Sequence, residues 1–248
     1  MHKSITKFQI KHIRSLHQKK YRQKYRQFFV EGTKSVLEFL NSTYSCQNIF
    51  ATHEWLEQNN LESHHHSLLI AVSNKEMQQI SALKNPPGIL GIFEQSKERK
   101  LNTNVDLILA LEDIRDPGNL GTIIRTAEWF GLQQIVCSST CAEVFNPKVV
   151  QASMGSLARV EVIYMDLLTL KNNLPNHKMV LADMKGDNVA TFKWTKNILV
   201  IGNEANGVSL SLKEAAEHIV TIPRMGQAES LNAAISSGII LAYANLKA

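Results

Sequence analysis

Long apolar runs are missing from this chain of 248 residues, and no segment reaches the roughly 18 uninterrupted apolar positions that a membrane-spanning helix needs. The opening MHKSITKFQ lacks the apolar stretch of a secretion signal, and no lipidation motif is present. Cysteine is scarce: Cys46, Cys137 and Cys141 are odd in number and form no disulfide framework. Cys137 and Cys141 are also too few for a structural zinc site by themselves. His64, His65 and His66 stand among Asn59, Asn60, Glu62 and Ser63, a polar run that reads as a solvated loop ahead of a metal site. These absences point to a cytoplasmic protein with no membrane anchorage and no bound metal.

Acidic residues are missing from one long region. From His2 and Lys3 to Arg26 the chain carries Lys7, Lys11, Arg14, Lys19, Lys20, Arg22, Lys24 and Arg26 with no Asp or Glu among them. Charge of one sign over such a length attracts polyanions, and a nucleic acid is favoured over a merely solvated helix face. Lys19, Lys20, Arg22, Lys24 and Arg26 are the expected RNA contacts. Tyr21, Tyr25 and Phe28 are candidates for stacking on bases, with core packing equally open for Phe28.

The first hundred residues read as a small α/β unit. Ile10, Ile13 and Leu16 have helical spacing, Phe28–Val30 is strand-like, and Val36, Leu37, Phe39 and Leu40 give a second helix. Further strand-like runs are 48–51 and 68–72. After the apolar segment 89–93 comes a polar, charged stretch, so the expected division is a domain over 1–95, a linker over 96–104 and a second domain over 105–248. In the second domain, apolar runs at 107–111, 134–136, 179–182, 198–201 and 219–222 alternate with helical patterns. Short apolar strands spaced by helices predict a parallel sheet covered on both faces. Ligands bind such sheets beyond the carboxyl ends of the strands, which directs attention to three loops.

The first loop, Glu112 to Gly121, has Asp116 before Pro117, an N-cap followed by proline at the first helical position. Leu120, Ile123, Ile124 and Ala127 form the buried stripe of the helix, with Arg125 beside it; on spacing alone Arg125 is a surface arginine. The second, Gly202-Asn203-Glu204-Ala205-Asn206-Gly207-Val208, approaches a phosphate-binding loop but has Val208 where the lysine must stand. Its glycines mark a tight turn where backbone approaches a ligand, and Glu204 is open as a base, a ligand acceptor or a cation's partner. The third runs from Ile222 through Ser230-Leu231-Asn232 into a helix rich in Ala, Ser and Gly. There Ser230 is a candidate cap and Asn232 a partner for loop backbone.

Together, Asn119 with Arg125, the Ile201-Gly202-Asn203-Glu204 to Gly207 turn, and Ile222-Pro223 leading to Ser230-Leu231-Asn232 resemble the three ordered motifs of the SpoU/TrmH family. Arg26-Gln27-Phe28-Phe29-Val30-Glu31-Gly32 resembles that family's RNA substrate-binding domain, of L30e-like fold. The resemblance implies a SPOUT α/β domain whose C-terminal segment forms a deep trefoil knot, an exception to the rule against threading. It further implies S-adenosylmethionine held near Leu181, Ala182, Ile201, Gly202, Ile222, Met225 and Leu231, and a homodimer through the methyltransferase domain. Arg125 becomes the catalytic arginine, with Asn119, Glu204, Ser230 and Asn232 shaping the site. The expected reaction is methylation of a ribose 2′-hydroxyl of ribosomal or transfer RNA, ribosomal RNA being favoured, without a metal.

The chemistry suits those residue types. A ribose hydroxyl is a poor nucleophile at neutral pH, and a guanidinium can grip the adjacent phosphate and stabilise charge developing on oxygen. One departure is Arg224, which follows the Ile-Pro pair where the family commonly has a hydrophobic residue. The rival from another class is a non-catalytic RNA-binding or ribosome-assembly protein that keeps the fold. A nucleotide-dependent enzyme on a doubly wound sheet is weakened by the missing loop lysine.

Overall fold

In the computed structural model, which describes residues 3–95, 100–203 and 205–246, the chain begins with β1 (Lys3–Ser4), α1 (Lys7–Ser15), α2 (Lys19–Tyr25), β2 (Gln27–Glu31) and α3 (Thr33–Leu40). Next come β3 (Cys46–Thr52), α4 (His53–Gln58), β4 (Leu69–Val72), α5 (Asn74–Ile80) and β5 (Ile89–Glu94). The second half opens with β6 (Leu107–Leu111), α6 (Pro117–Trp129), β7 (Gln134–Cys137), α7 (Pro147–Ala152), β8 (Glu161–Tyr164) and α8 (Leu167–Asn173). It closes with β9 (Lys178–Asn188), β10 (Asn197–Ile201), α9 (Leu210–Ala215), β11 (His218–Thr221) and α10 (Ala233–Asn245). Two compact units result. One joins Met1–Lys97 with Phe145–Ala158, and the other joins Glu98–Val144 with Arg159–Ala248. The segment carrying α7 therefore returns to the first unit, a feature with no counterpart in the contiguous division drawn from the sequence.

The first unit has a mixed sheet in the order β1-β4-β3-β5-β2, with β5 antiparallel to both neighbours. A capping box starts α1: the Thr6 side chain accepts from Gln9 N, and Gln9 Oε1 accepts from Thr6 N. Ile13 and Leu16 then bury themselves against Phe29, Phe50 and Ile70. No apolar stripe explains α2. What fastens it is Arg22, only 2% exposed, whose Nη1 donates to Leu16 O at 2.8 Å and His17 O at 3.0 Å. Two charge-assisted bonds to carbonyls offset the cost of burying the guanidinium. This corrects the expectation for Arg22, which anchors the α1–α2 turn and does not face RNA. Lys19, Lys20, Lys24 and Arg26 are exposed. On the other side of the sheet, the Phe28, Phe39, Tyr44 and Phe93 rings cluster, and Phe145 lies 4.5 Å from Phe28, centroid to centroid. The His64–His66 run lies within a short 3-10 turn, Ser63–Leu68.

The second unit has a six-stranded parallel sheet ordered β11-β9-β10-β6-β7-β8. β6 and β10 sit centrally and are buried almost throughout, as continuous apolar runs in a doubly covered sheet require. Ile108, Ala110, Val136, Leu181, Ile198 and Val200 pack with Leu167 and Leu170 of α8 and Leu212 of α9. The cap on α6 is as expected: Asp116 Oδ1 accepts from Asn119 N at 2.8 Å, with Pro117 next. Leu120, Ile123, Ile124 and Ala127 are fully buried.

Candidate active site

The pairing of β9 with β11 opens the site. His218 faces Val180 and Ile219 faces Leu181, and then the register jumps so that Val220 faces Asp187. Residues 182–186 are thereby released from that ladder, and Ala182, Asp183 and Met184 line a cavity of about 410 Å³. The ladder resumes at Asp187, and just before it Gly186 passes so close to β11 that a Cβ there would sit 2.5 Å from Ile219 O. Ile201, Gly202 and Asn203 at the end of β10 give a second wall, the segment from Ile222 to Leu231 a third, and Ala233, Ser236 and Ile240 of α10 the fourth. Burial acts to raise the Asp183 carboxyl, but Lys213 Nζ at 2.8 Å and the Met184 N–H outweigh it and hold the acid below its ordinary range.

The second and third loops line this cavity, and the first is hydrogen-bonded to both. In the second loop, Asn203 and Gly207 exchange backbone hydrogen bonds of 3.2 and 2.8 Å. A Cβ on Gly202 would lie 2.5 Å from Gly207 C and O, so a side chain there would wedge the turn open. Asn203 Oδ1 accepts from Ala205 N at 2.8 Å, while its Nδ2 donates to Asp113 O at 3.0 Å, tying the second loop to the first. Asp113 has φ 58°, a left-handed conformation that non-glycine residues adopt only with local support. The Ser138 hydroxyl, which accepts from Asp113 N at 3.0 Å, and the Asn203 bond supply it. Nearby, Cys141 Sγ accepts from Ile114 N at 3.3 Å. Hydrogen bonding with Cys137 draws the Cys141 thiol down to about 7 against the effect of burial, and Ser138 and Ile114 add to the shift.

The third loop closes on the first. Asn232 Nδ2 donates to Asn119 Oδ1 at 2.9 Å, and Asn232 Oδ1 caps α10 by accepting from Ala234 N and Ile235 N. The cap is therefore Asn232 and not Ser230, which lines the cavity. α10 packs against α6 closely enough that a Cβ on Gly238 would meet Thr126 Cγ2 at 3.5 Å.

Of the residues expected at the cofactor, Ala182, Ile201, Gly202, Ile222, Met225 and Leu231 line the cavity. Leu181 does not: it is fully buried in the core of the sheet, because its side chain falls on the face opposite the released stretch that Ala182 begins. Asn119 and Asn232 come together. Arg125 is exposed on α6, outside the cavity wall. Glu204 lies outside the described residues. Sequence reasoning missed Asn203, Asp183 and Ser138; Asn203 was legible in principle, since an asparagine between a strand and a tight turn commonly bonds backbone.

Residues 106–242 match the SpoU rRNA methylase family, and residues 7–91 match the MRM3-like substrate binding domain. The 23S rRNA (guanosine(2553)-2′-O)-methyltransferase RlmP of Bacillus subtilis is 28% identical over 236 residues, covering 94% of each chain. A solved TrmH-family structure from Porphyromonas gingivalis superposes with a TM-score of 0.87 at 31% identity, over 98% of this chain and 99% of that one. The AdoMet-bound rRNA methyltransferase of Sinorhizobium meliloti gives 0.85 at 30% identity, over 99% and 97%.

Proposed function

The chain belongs to the SpoU rRNA methylase family, and on that premise we propose that it transfers a methyl group from S-adenosylmethionine to a ribose 2′-hydroxyl of ribosomal RNA. The observation that carries this reading is that the second and third motif loops line one cavity while the first is hydrogen-bonded to both, through Asn203–Asp113 and Asn232–Asn119. Its volume of about 410 Å³ lies in the range of roughly 300–1,000 Å³ that encloses ligands of this size. Ile222, Met225 and Leu231 offer apolar surface to an adenine ring beside the tight Gly202 turn. The residues present fit the cofactor. Because the Bacillus relative is named for a guanosine of 23S rRNA, ribosomal RNA is the preferred substrate over transfer RNA.

When bound, S-adenosylmethionine supplies a methyl group on a sulfonium that is already an excellent leaving group. The protein's task is to orient the hydroxyl and manage its proton. Arg125 grips the phosphate next to the target ribose and stabilises negative charge developing on the 2′-oxygen. Asn119 and Asn232 keep the start of α6 in register with the cofactor loop, Ser230 contributes a hydroxyl at the cavity edge, and Glu204 belongs to the site by its place in the second motif. Lys19, Lys20, Lys24 and Arg26 hold RNA by phosphate contacts.

A second copy of the chain completes the assembly. α10 is apolar on every side, the mark of a helix buried all round, yet Ile235 is 56% exposed and Trp129 on α6 is 84% exposed. These residues fit a homodimer interface on the methyltransferase unit. The sheet order β11-β9-β10-β6, with the last strands interleaved at one edge, supports a C-terminal knot. Among the described residues no helix is long and apolar enough to cross a membrane, and the proposed site of action is the cytoplasm.

The test is transfer of labelled methyl from S-adenosylmethionine to total RNA from a strain lacking this gene, with the product nucleotide mapped. Labelled 2′-O-methylribose in ribosomal RNA, lost with Arg125→Ala, is the expected result. Cofactor binding without incorporation into free RNA or ribosomal particles would favour the non-catalytic reading.

A further inference from the structure

The row of rings along α1 and α2 is not used by phosphate binding. Tyr21 and Tyr25 stand one helical turn apart on the same side of α2, with ring centroids 6.2 Å apart and planes within 12° of parallel. Each carries its own cation: Lys20 Nζ lies 4.8 Å from the Tyr21 centroid and Lys24 Nζ 5.6 Å from that of Tyr25. His12 of α1 meets Tyr25 edge-on at 4.7 Å, and one turn earlier on α1 Phe8 is 78% exposed. Tyr25 is itself 41% exposed. The helix is held rigid from beneath by the buried Arg22, so the rings are presented at little further entropic cost.

A row of partly exposed aromatic rings set among lysines, with no carboxylate in the chain before Glu31, suits a ligand that is both anionic and flat. A duplex offers phosphates but hides its base faces within the stack, whereas an unpaired nucleotide offers both. An acidic peptide has the charge without the flat faces. We infer that the α1–α2 face is a stacking platform for unpaired nucleotides of the RNA, with Tyr21, Tyr25 and Phe8 contacting bases while Lys20 and Lys24 contact phosphates. This rests on the methyltransferase reading only for the identity of the RNA, and it adds that the unit selects a single-stranded or looped element.

The test uses the full chain and fluorescence anisotropy with labelled oligouridine, the corresponding duplex, and phosphatidylserine vesicles. Replacing both tyrosines by leucine is expected to weaken oligouridine binding by about tenfold or more, the range of base–aromatic stacking, and duplex binding by less than about threefold. Tyr21→Phe with Tyr25→Phe should bind as wild type, because the ring and not the hydroxyl makes the contact. The salt dependence should keep its slope, since no phosphate-binding charge is removed. Phe8→Leu, at a site too exposed to affect packing, should weaken oligouridine binding alone and guards against a misfolded double variant. The inference is overturned if the leucine variants bind oligouridine as wild type, if duplex affinity falls equally, or if the loss appears on vesicles instead. Isothermal titration with S-adenosylmethionine on the same proteins separates the two readings: absent cofactor binding sinks the proposed reaction and leaves the platform standing.

Discussion

Asn232 performs two separable tasks, and replacing it by alanine or by aspartate tells them apart. Its Oδ1 accepts from Ala234 N at 2.9 Å and Ile235 N at 3.3 Å, capping α10, while its Nδ2 donates to Asn119 Oδ1 at 2.9 Å. Alanine removes both. Loss of an N-cap costs about 1 kcal/mol, and loss of a solvent-accessible hydrogen bond adds about 0.5–1 kcal/mol, so Asn232→Ala should destabilise by about 1.5–2 kcal/mol. Aspartate keeps both acceptor contacts and gains about 0.5 kcal/mol from its charge at the helix N-terminus. It loses the donor and sets two acceptors against each other, so Asn232→Asp should cost no more than about 0.5–1 kcal/mol. Urea denaturation followed by tryptophan fluorescence measures the difference, and methyl-transfer assays on the same proteins measure function. The expected pattern is an Asn232→Asp protein that is nearly as stable as wild type but impaired in turnover, because the motif link is broken. Equal destabilisation by both changes would refute the capping argument; full turnover by Asn232→Asp would refute the role of the link.

Arg125→Lys should lower kcat by at least about a hundredfold with cofactor affinity retained, because an ammonium cannot reproduce a two-pronged grip; titration calorimetry beside single-turnover assays reads both. Arg22→Ala should lower unfolding free energy by about 2–3 kcal/mol, the scale of charged hydrogen bonds to groups then left unsatisfied. Lys24→Ala should leave stability within about 0.5 kcal/mol of wild type and reduce the salt slope of RNA binding by about 1. Gly202→Ala places a methyl 2.5 Å from Gly207 backbone, so S-adenosylmethionine binding should fall more steeply than the melting temperature. Burial pushes the Glu31 carboxyl up, against hydrogen bonds from Ser81 and Ala82 N. A raised folded-state value means that its contribution is present at acid pH and lost as pH rises through that value. Glu31→Gln should therefore match wild type near pH 3 and equal or exceed it at pH 7 in melting temperature; a growing wild-type advantage toward pH 7 would contradict this.

The parallel sheet is readable because β6, β7, β10 and the first half of β9 are buried and so appear as apolar runs, while β11, itself an edge strand, still carries the apolar pair Ile219–Val220. β8 escaped notice because Glu161–Tyr164 is an edge strand, partly exposed along its length. α2 has no apolar periodicity, since its one buried side chain is an arginine, and no composition rule turns an arginine inward. The motif residues are legible as a resemblance, and their order on the chain points to loops that the structure ties together by hydrogen bonds. Which of them touch was not: Asn203 against Asp113 spans 90 positions and Asn232 against Asn119 spans 113. Leu181 shows the finest limit, because the register jump that separates it from Ala182 depends on a pairing partner far along the chain.

The passage of Phe145–Ala158 back into the first unit bears on how such proteins can be recombined. Phe145 adds its ring to the Phe28 cluster, and α7 lies against β2, so the aromatic core of the first unit is encoded in two stretches on either side of β6 and α6. A graft made at the apparent junction near residue 100 would leave that core short of a ring while carrying its missing piece away with the other half. A transplant of the first unit that keeps its core whole therefore has to carry the excursion between β7 and β8 with it.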